Sequence, residues 1–224
     1  MDKPNTSQGI SPDKAPIYET LLDFVDNVVF LFKPFSKDSK GNPVTAEDLI
    51  TQDLEKTLNH KARNNNEPFA FQNQHKEGKY STDISVYKTS SYGDFCWIEA
   101  KRLPTPKEKD RDEREYVIVS QEKENGKKKF KGNGGIQRFK ESKHASGLPY
   151  SIMIGYIQEQ NSDYWLEKIN GWIKQLTIKE PLLWNEKDCL SKQESRKCDR
   201  YLSVHDRKNE AIILHHFWIE LQAR

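Results

Sequence analysis

Two strands joined by a short polar turn are the strongest constraint on how this chain can fold. Residues 80–87 and 95–103 are both rich in β-branched and aromatic side chains, and the serines and glycine between them favour a hairpin connection. Side chains two residues apart on a strand point to the same face, so Glu99 and Lys101 share one face. Closing the hairpin brings Asp83 of the partner strand beside them. The sequence therefore predicts two carboxylates and an amine together at one end of a sheet.

These three side chains have a joint chemical use. Mg²⁺ takes oxygen ligands, usually one or two protein carboxylates, with water and substrate phosphate completing the shell. The bound cation stabilises charge on a phosphoryl centre and lowers the pKa of its water, and a nearby ammonium can orient or help deprotonate that water. We therefore expect Asp83 and Glu99 to hold Mg²⁺, with Mn²⁺ as a substitute, and Lys101 to serve the water. The competing interpretation is an ordinary surface hairpin with a cross-strand ion pair.

The same residues resemble the motif of the PD-(D/E)XK nuclease superfamily. The match consists of Asp83 in Ser-Thr-Asp-Ile-Ser-Val-Tyr and the triplet Glu99-Ala100-Lys101 after an apolar strand, with Thr82 where the superfamily often has proline. The resemblance implies an α/β protein with a restriction-endonuclease-like core, a mixed central sheet of order α-β-β-β-α-β flanked by helices, over about residues 45–157. It also implies a metal-dependent endonuclease that hydrolyses DNA in restriction, phage defence or repair, and a homodimer as one expected assembly.

The helices on either side of the hairpin supply further candidates. Residues 45–58 have a possible capping threonine, acidic residues in the first turn and leucines at helical spacing. Superfamily members often bring one more acidic residue from this helix, so Glu47 is the first candidate and Glu55 the second. Either residue could equally favour the helix start or lie in solvent. A helix from Gly134 to near Gly147 places Gln137 and Arg138 where relatives often have a polar or basic residue pointing into the site.

A charged insertion over residues 104–133 contains a basic, glycine-rich stretch directly after the predicted metal strand. Such a loop is well placed to follow a phosphate backbone, which supplies most nonspecific affinity for DNA, although a solvated insertion has the same composition. The glycines before the next helix also leave its backbone N–H groups available to phosphate. The predicted nucleic-acid-binding residues are Lys128, Lys129, Lys131, Arg138, Lys140 and Lys143.

The rest of the chain is predicted from composition and periodicity. Residues 1–16 read as a flexible leader, and residues 17–224 as a single nuclease-like domain. The first predicted element is a helix from Ile17 that runs into an extended piece ending at Phe35. The predicted strands are a first core strand over 69–75, a strand-like run over 116–119 and a buried central strand over 150–157. A helix over 162–176, capped by Ser162, and a closing hairpin over 201–219 complete the domain. His215 and His216 are adjacent on that hairpin, point to opposite faces and are predicted to be structural.

Composition limits the class of protein. Net charge is only +2, with 36 Lys plus Arg against 34 Asp plus Glu, so a nucleic-acid partner has to be argued from local clustering. Three cysteines without metal-type spacing suit a reducing compartment. No segment approaches the roughly 20 apolar residues of a membrane span, and the N-terminus lacks the order of a signal peptide. We therefore expect a soluble cytoplasmic protein with no membrane partner.

Three alternatives stay open, one of which is an unrelated soluble interaction domain, favoured if the basic loop and the hairpin lie on opposite sides of the molecule. Another is a noncatalytic member of the same fold that binds nucleic acid or a protein partner, against which the complete set of Asp83, Glu99 and Lys101 counts. The third is an RNA nuclease, because metal-assisted hydrolysis of a phosphodiester does not itself distinguish the sugar.

Overall fold

The computed structural model describes residues 15–42, 45–73, 76–77, 80–106, 112–124, 127–130, 134–194, 197–208 and 210–221. The helices in this part of the chain are α1 (Ala15–Leu31), α2 (Glu47–Asn65), α3 (Gly135–Lys140) and α4 (Ser162–Lys179). The strands are β1 (Phe69–Asn73), β2 (Lys76–Glu77), β3 (Tyr80–Ser81), β4 (Ile84–Lys88), β5 (Asp94–Leu103), β6 (Ser120–Glu124), β7 (Lys127–Phe130), β8 (Tyr150–Ile157), β9 (Ser191–Lys192), β10 (Asp199–Asp206) and β11 (Ala211–Glu220). A 3₁₀ turn spans Glu186–Asp188.

Seven strands form one mixed sheet in the order β1-β4-β5-β8-β11-β10-β9. The three central strands β5, β8 and β11 are parallel, and the outer strands pair antiparallel. Strand β8 lies in the middle of the sheet, with Ile152, Met153 and Ile154 fully buried in succession. This confirms that its unbroken apolar sequence reflects burial on both faces. The fold is therefore α/β, and the β4–β5 and β10–β11 hairpins are confirmed.

The two faces of the sheet are covered by different helices. Helices α1 and α2 pack with Ile98 and Ala100 of β5 in one apolar cluster, whereas residues of α3 and α4 pack with Trp97 and Leu103 in another. Because successive strand residues alternate between faces, Glu99 lies on the α3 side of the sheet, in line with Trp97.

Helix α2 is fixed by polar contacts of two side chains in its middle turns. The Asp53 carboxylate accepts hydrogen bonds from the Phe35 and Ser36 N–H groups at 2.9 and 2.7 Å. Asn59 exchanges two hydrogen bonds with the backbone of Phe71 in the edge strand β1, at 2.8 and 3.0 Å. These contacts set where the first residue of α2, Glu47, meets the sheet.

Several local predictions are wrong. The N-cap of α2 is Ala46, without a side-chain cap, so Thr45 does not cap the helix. The N-cap of α4 is Asn161, one residue before the predicted Ser162. The apolar run Tyr116–Ile118 forms a buried turn because its side chains fill the core under α3.

The elements around α3 also differ from the sequence prediction. Helix α3 ends at Lys140 and continues as turns, well before Gly147. The basic sequence of β7 pairs antiparallel with β6 as a hairpin, where the sequence predicted a loop.

His215 and His216 lie on opposite faces of β11, as predicted. The His215 ring centroid is 5.6 Å from that of Tyr18, and His216 Nδ1 is 2.8 Å from the Tyr116 hydroxyl on the other side. Residues 1–14 of the predicted leader and Lys131 lie outside the described residues. Across the described residues, no helix combines the length and apolar character needed to span a membrane.

Candidate active site

The candidate site forms where β4 separates from β5. The pairing of these strands ends at Ile84 opposite Ile98, whereas β5 continues to Leu103 with β8 on its other side. Beyond Ile98, the backbone groups of β5 that face β4 therefore have no strand partner. Such groups need hydrogen-bond partners when they are buried.

Two side chains from the residues just before β4, Thr82 and Asp83, take the place of the missing strand. Thr82 Oγ1 donates to the Ile98 carbonyl at 2.9 Å, and the Ala100 N–H donates to Asp83 Oδ2 at 2.7 Å. The second bond fixes the Asp83 carboxylate against β5. The sequence prediction that Asp83 returns to the strand of the triplet is therefore confirmed.

Lys101 and Glu47 provide hydrogen-bond partners for the next two unpaired backbone groups on the same edge of β5. Lys101 Nζ donates to the Ala100 carbonyl at 2.8 Å, and the Arg102 N–H donates to Glu47 Oε2 at 2.9 Å. The other oxygen of Glu47 lies 3.2 Å from Lys101 Nζ. The first residue of α2 is thus tied to the predicted catalytic lysine. Of the two helix carboxylates proposed from sequence, the structure brings Glu47 to the site, while Glu55 contacts Asn59 on its own helix.

Glu99 is fully buried and has three basic neighbours. Its Oε1 lies 3.0 Å from Lys101 Nζ and 2.9 Å from Arg138 Nη1, while Oε2 lies 3.4 Å from His144 Nδ1. Burial alone would raise the Glu99 pKa, but the positive charges of Lys101, His144 and Arg138 outweigh it and lower the pKa. Glu99 is therefore an ionised carboxylate in the protein interior.

The same cluster keeps Lys101 charged. Burial works against its charge, but attraction to Glu99, Glu47 and Asp83 is larger and raises the Lys101 pKa above its ordinary value. At neutral pH the side chain is an ammonium with hydrogen atoms to donate. Of the two roles expected from sequence, orienting a water or offsetting phosphate charge therefore fits Lys101 better than removing a proton from water.

Asp83 has an unusual environment for a carboxylate. Burial and the nearby negative charge of Glu99 raise its pKa to about 7, and attraction to Lys101 offsets only part of this effect. A carboxyl whose pKa is raised by burial and by a neighbouring carboxylate is characteristic of functional sites.

The residues present fit a hard divalent cation. Asp83 and Glu99 supply carboxylate oxygens, and the buried Oε2 of Glu99 accepts no hydrogen bond. No group of three or more metal-ligating side chains occurs among the described residues. Mg²⁺ needs only one or two carboxylates when substrate and water complete its shell, so two carboxylates are sufficient.

Gln137 and Arg138 have different surroundings. Gln137 is buried and donates to Glu141 Oε1 on the following turn at 2.8 Å. The structure therefore brings Arg138, and not Gln137, into contact with Glu99.

The start of α3 is closed to phosphate, against the expectation from its glycines. Its first N–H groups, at residues 135, 136 and 137, donate to the carbonyls of residues 115, 116 and 117 at 2.9, 3.1 and 3.0 Å. Gly134 permits this close approach, because a Cβ at that position would lie 2.1 Å from the Cα of Ile118.

The predicted nucleic-acid-binding lysines that the structure describes lie in different elements. Lys140 is buried and lies 2.6 Å from Asp188 Oδ1, so its assignment to nucleic acid is wrong. Lys143 is partly exposed and pairs with Glu141. Lys128 and Lys129 belong to β7 of the separate hairpin.

His144 is the site residue that sequence reasoning missed. It is buried, with the rings of Trp97 and Phe139 packed edge-on at 5.8 and 5.6 Å. The buried Arg207 guanidinium donates to the carbonyls of Phe139, His144 and Ala145 and holds this turn. No local sequence signal marks His144, because its position depends on an arginine 63 residues away.

The fold and site together define an α/β protein with a seven-strand mixed sheet and a buried cluster of acids and lysine at a strand divergence. The chain matches no protein-family model, no curated protein and no solved structure. Its function is therefore argued from the site.

Proposed function

We propose that this chain is a metal-dependent nuclease that hydrolyses phosphodiester bonds in DNA. The observation that carries the proposal is the convergence of Asp83, Glu99, Lys101 and Glu47 on the unpaired edge of β5. The element order α2, β1, β4, β5, α3, β8 supports a restriction-endonuclease-like core of the type α-β-β-β-α-β. The proposed setting is restriction, phage defence or repair in the cytoplasm, with a homodimer as the assembly that cuts both strands.

Each residue has a separate task in this mechanism. Asp83 and Glu99 would hold Mg²⁺, which supplies Lewis acidity and an activated water when bound. The Lys101 ammonium would donate to the attacking water or to a phosphate oxygen the hydrogen that now faces Glu99, and would offset the charge that develops there. Glu47 holds Lys101 in this position through its 3.2 Å contact.

A structural role alone does not account for Glu99. Thr82, Asp83, Lys101 and Glu47 all contact backbone groups of β5, so each also serves the strand. The described contacts of Glu99 are instead with basic side chains, although it is completely buried. Burying an ionised carboxylate is costly even when it is paired, so a purely structural Glu99 would be an inefficient choice. This observation favours a functional site over the noncatalytic alternative.

The test is cleavage of supercoiled plasmid in the presence of Mg²⁺ or Mn²⁺. Lys101→Met removes the ammonium at similar volume, and Asp83→Asn retains an oxygen for the Ala100 N–H. We expect each variant to lose on the order of 100-fold or more in rate, the range for loss of a positioned catalytic group, while its circular dichroism spectrum is unchanged.

The matched control is Lys168→Met on α4, where the lysine packs over Trp172. It should cut like the wild-type protein. Equal cutting by the wild-type protein and Lys101→Met would refute the proposed site. The RNA alternative is tested with the same variants, and metal-dependent cutting of RNA with intact DNA would favour it.

A further inference from the structure

Glu99 lies against the positive charges of Lys101 and Arg138, which oppose a metal ion at its carboxylate. One oxygen is shared by Lys101 and Arg138, and the other faces His144. A divalent cation beside these groups would be repelled by each positive charge at short range. Moving one of these basic side chains away would therefore favour metal binding.

Two of the three neighbours are held in place. Lys101 is tied to the Ala100 carbonyl and to Glu47 as well as to Glu99, and its side chain is 11% exposed. His144 is 1% exposed, and its turn is fixed by the Arg207 guanidinium.

Arg138 is the neighbour that can leave. Its side chain is 27% exposed, and it reaches Glu99 through Nη1 alone among its nitrogen atoms. The guanidinium is carried on a long flexible stem, so it can turn toward solvent while α3 stays in place. Its backbone N–H remains bonded to the Gly134 carbonyl at 3.0 Å, which fixes the helix independently of the side chain.

A phosphodiester is the ligand that suits the released guanidinium. Arginine binds phosphate oxygens through two parallel N–H bonds, and it keeps its charge at all relevant pH values. A phosphate oxygen that reached the partly exposed Arg138 guanidinium would therefore compete with Glu99 for it.

We propose that Arg138 couples substrate binding to metal binding. It pairs with Glu99 in the absence of nucleic acid and transfers to a backbone phosphate when nucleic acid binds, which removes one of the two positive charges at Glu99 Oε1 and lowers the repulsion of a cation there. This inference rests on the proposed nuclease function. Because binding linkage is reciprocal, nucleic acid should raise metal affinity by the same factor as metal raises nucleic-acid affinity.

The first measurement is calorimetric titration of Mn²⁺ into the protein without nucleic acid. Arg138→Gln removes the competing charge and should bind Mn²⁺ on the order of 10-fold more tightly than the wild-type protein, within the usual range of coupling between sites. The matched control is Lys143→Gln, which removes one positive charge nearby but leaves the pair of Arg138 with Glu99 intact. It should bind Mn²⁺ nearly as the wild-type protein does.

The second measurement is fluorescence anisotropy of a labelled, cleavage-resistant phosphorothioate duplex at constant ionic strength. Saturating Mn²⁺ should tighten duplex binding by the wild-type protein and by Lys143→Gln by the same order of 10-fold. Arg138→Gln should bind the duplex more weakly and with little dependence on Mn²⁺.

The failures of the two proposals are distinguishable. The coupling is overturned if Arg138→Gln binds Mn²⁺ like the wild-type protein and duplex affinity does not depend on metal. If the wild-type protein still cleaves DNA with metal in that case, the nuclease proposal stands. Absence of both Mn²⁺ and duplex binding in every variant would overturn both proposals.

Discussion

Replacing Lys140 with methionine should destabilise the protein without affecting nucleic-acid binding. Lys140 and Asp188 are both fully buried, with Nζ 2.6 Å from Oδ1. Asp188 also accepts from His205 Nδ1 at 2.6 Å and from the Asn185 N–H at 2.8 Å. Lys140→Met keeps the volume of the stem and leaves the carboxylate with these two donors.

The magnitude follows from the loss of one partner of a buried ion pair. Such a loss costs roughly 3–5 kcal/mol, and the two donors that remain to Asp188 place this case at the lower end, about 3 kcal/mol. For a chain of this size that corresponds to a decrease in Tm of about 10 °C. Removing the carboxylate as well, in Lys140→Met/Asp188→Leu, should be more destabilising than the single change, because His205 Nδ1 and the Asn185 N–H then lose their acceptor.

The assay is urea unfolding followed by tryptophan fluorescence, with duplex affinity measured on the same samples. A free energy of unfolding within about 0.5 kcal/mol of wild type would refute the assignment, since that is the usual effect of a surface substitution. A weaker affinity for nucleic acid at unchanged stability would also refute it and restore the original prediction that Lys140 binds the phosphate backbone.

Three further predictions concern stability and are all measured by urea unfolding. Gly134→Ala should destabilise by about 3 kcal/mol, because its Cβ would overlap a neighbouring backbone, whereas Gly171→Ala in α4 has open space and should stabilise by about 0.5–1 kcal/mol. Equal effects of the two would contradict this. Thr82→Val leaves the Ile98 carbonyl without its donor and should cost about 1–2 kcal/mol; no loss would mean that this edge of β5 is solvated. Burial, with a smaller contribution from nearby positive charge, lowers the pKa of His215 to about 4, so the unfolded chain binds more protons below the ordinary histidine pKa. Stability should therefore fall by roughly 2 kcal/mol between pH 6.5 and 4.5, and His215→Phe should reduce that fall.

The features that sequence predicted well depend on local pattern. Alternation along β5 placed Glu99 and Lys101 on one face, and the hairpin turn fixed the register that pairs Ile84 with Ile98. Once that register exists, Asp83 has to lie beside the unpaired half of β5. Glu47 could be predicted because it lies in the acidic first turn of α2, and that turn lies beside this edge of β5.

The features that sequence missed depend on contacts between distant parts of the chain. A lysine is usually exposed, but Lys140 is buried against Asp188, which lies 48 positions further along the chain. The apolar run Tyr116–Ile118 has the composition of a strand, yet its carbonyls close the start of α3, so it cannot also pair in a ladder there. Neither contact leaves a mark in local composition or periodicity.

The buried polar network of Tyr116, His216, Ser203 and His205 is another feature that depends on contacts between distant parts of the chain. The Tyr116 hydroxyl contacts His216 Nδ1 at 2.8 Å, and Ser203 Oγ lies 2.8 Å from His216 Nε2 and 2.6 Å from His205 Nε2. Burial keeps the pKa of both histidines below the ordinary value. With both rings neutral, Tyr116 can donate to His216, His216 to Ser203, Ser203 to His205 and His205 to Asp188. Every polar group in this network then has a hydrogen-bond partner. Ser203 is 1% exposed, so this arrangement of serine, histidine and aspartate serves the core and is closed to substrate.

The most direct test of the central claim is the position of a bound cation, measured by anomalous scattering in a crystal of the protein with a cleavage-resistant duplex soaked with Mn²⁺. The account predicts a peak coordinated by carboxylate oxygens of Asp83 and Glu99, with Lys101 beside it, and no such peak in crystals of Asp83→Asn. A crystal of the wild-type protein with the duplex bound that shows no peak between these two carboxylates at millimolar Mn²⁺ would contradict a metal-dependent site at this edge of β5.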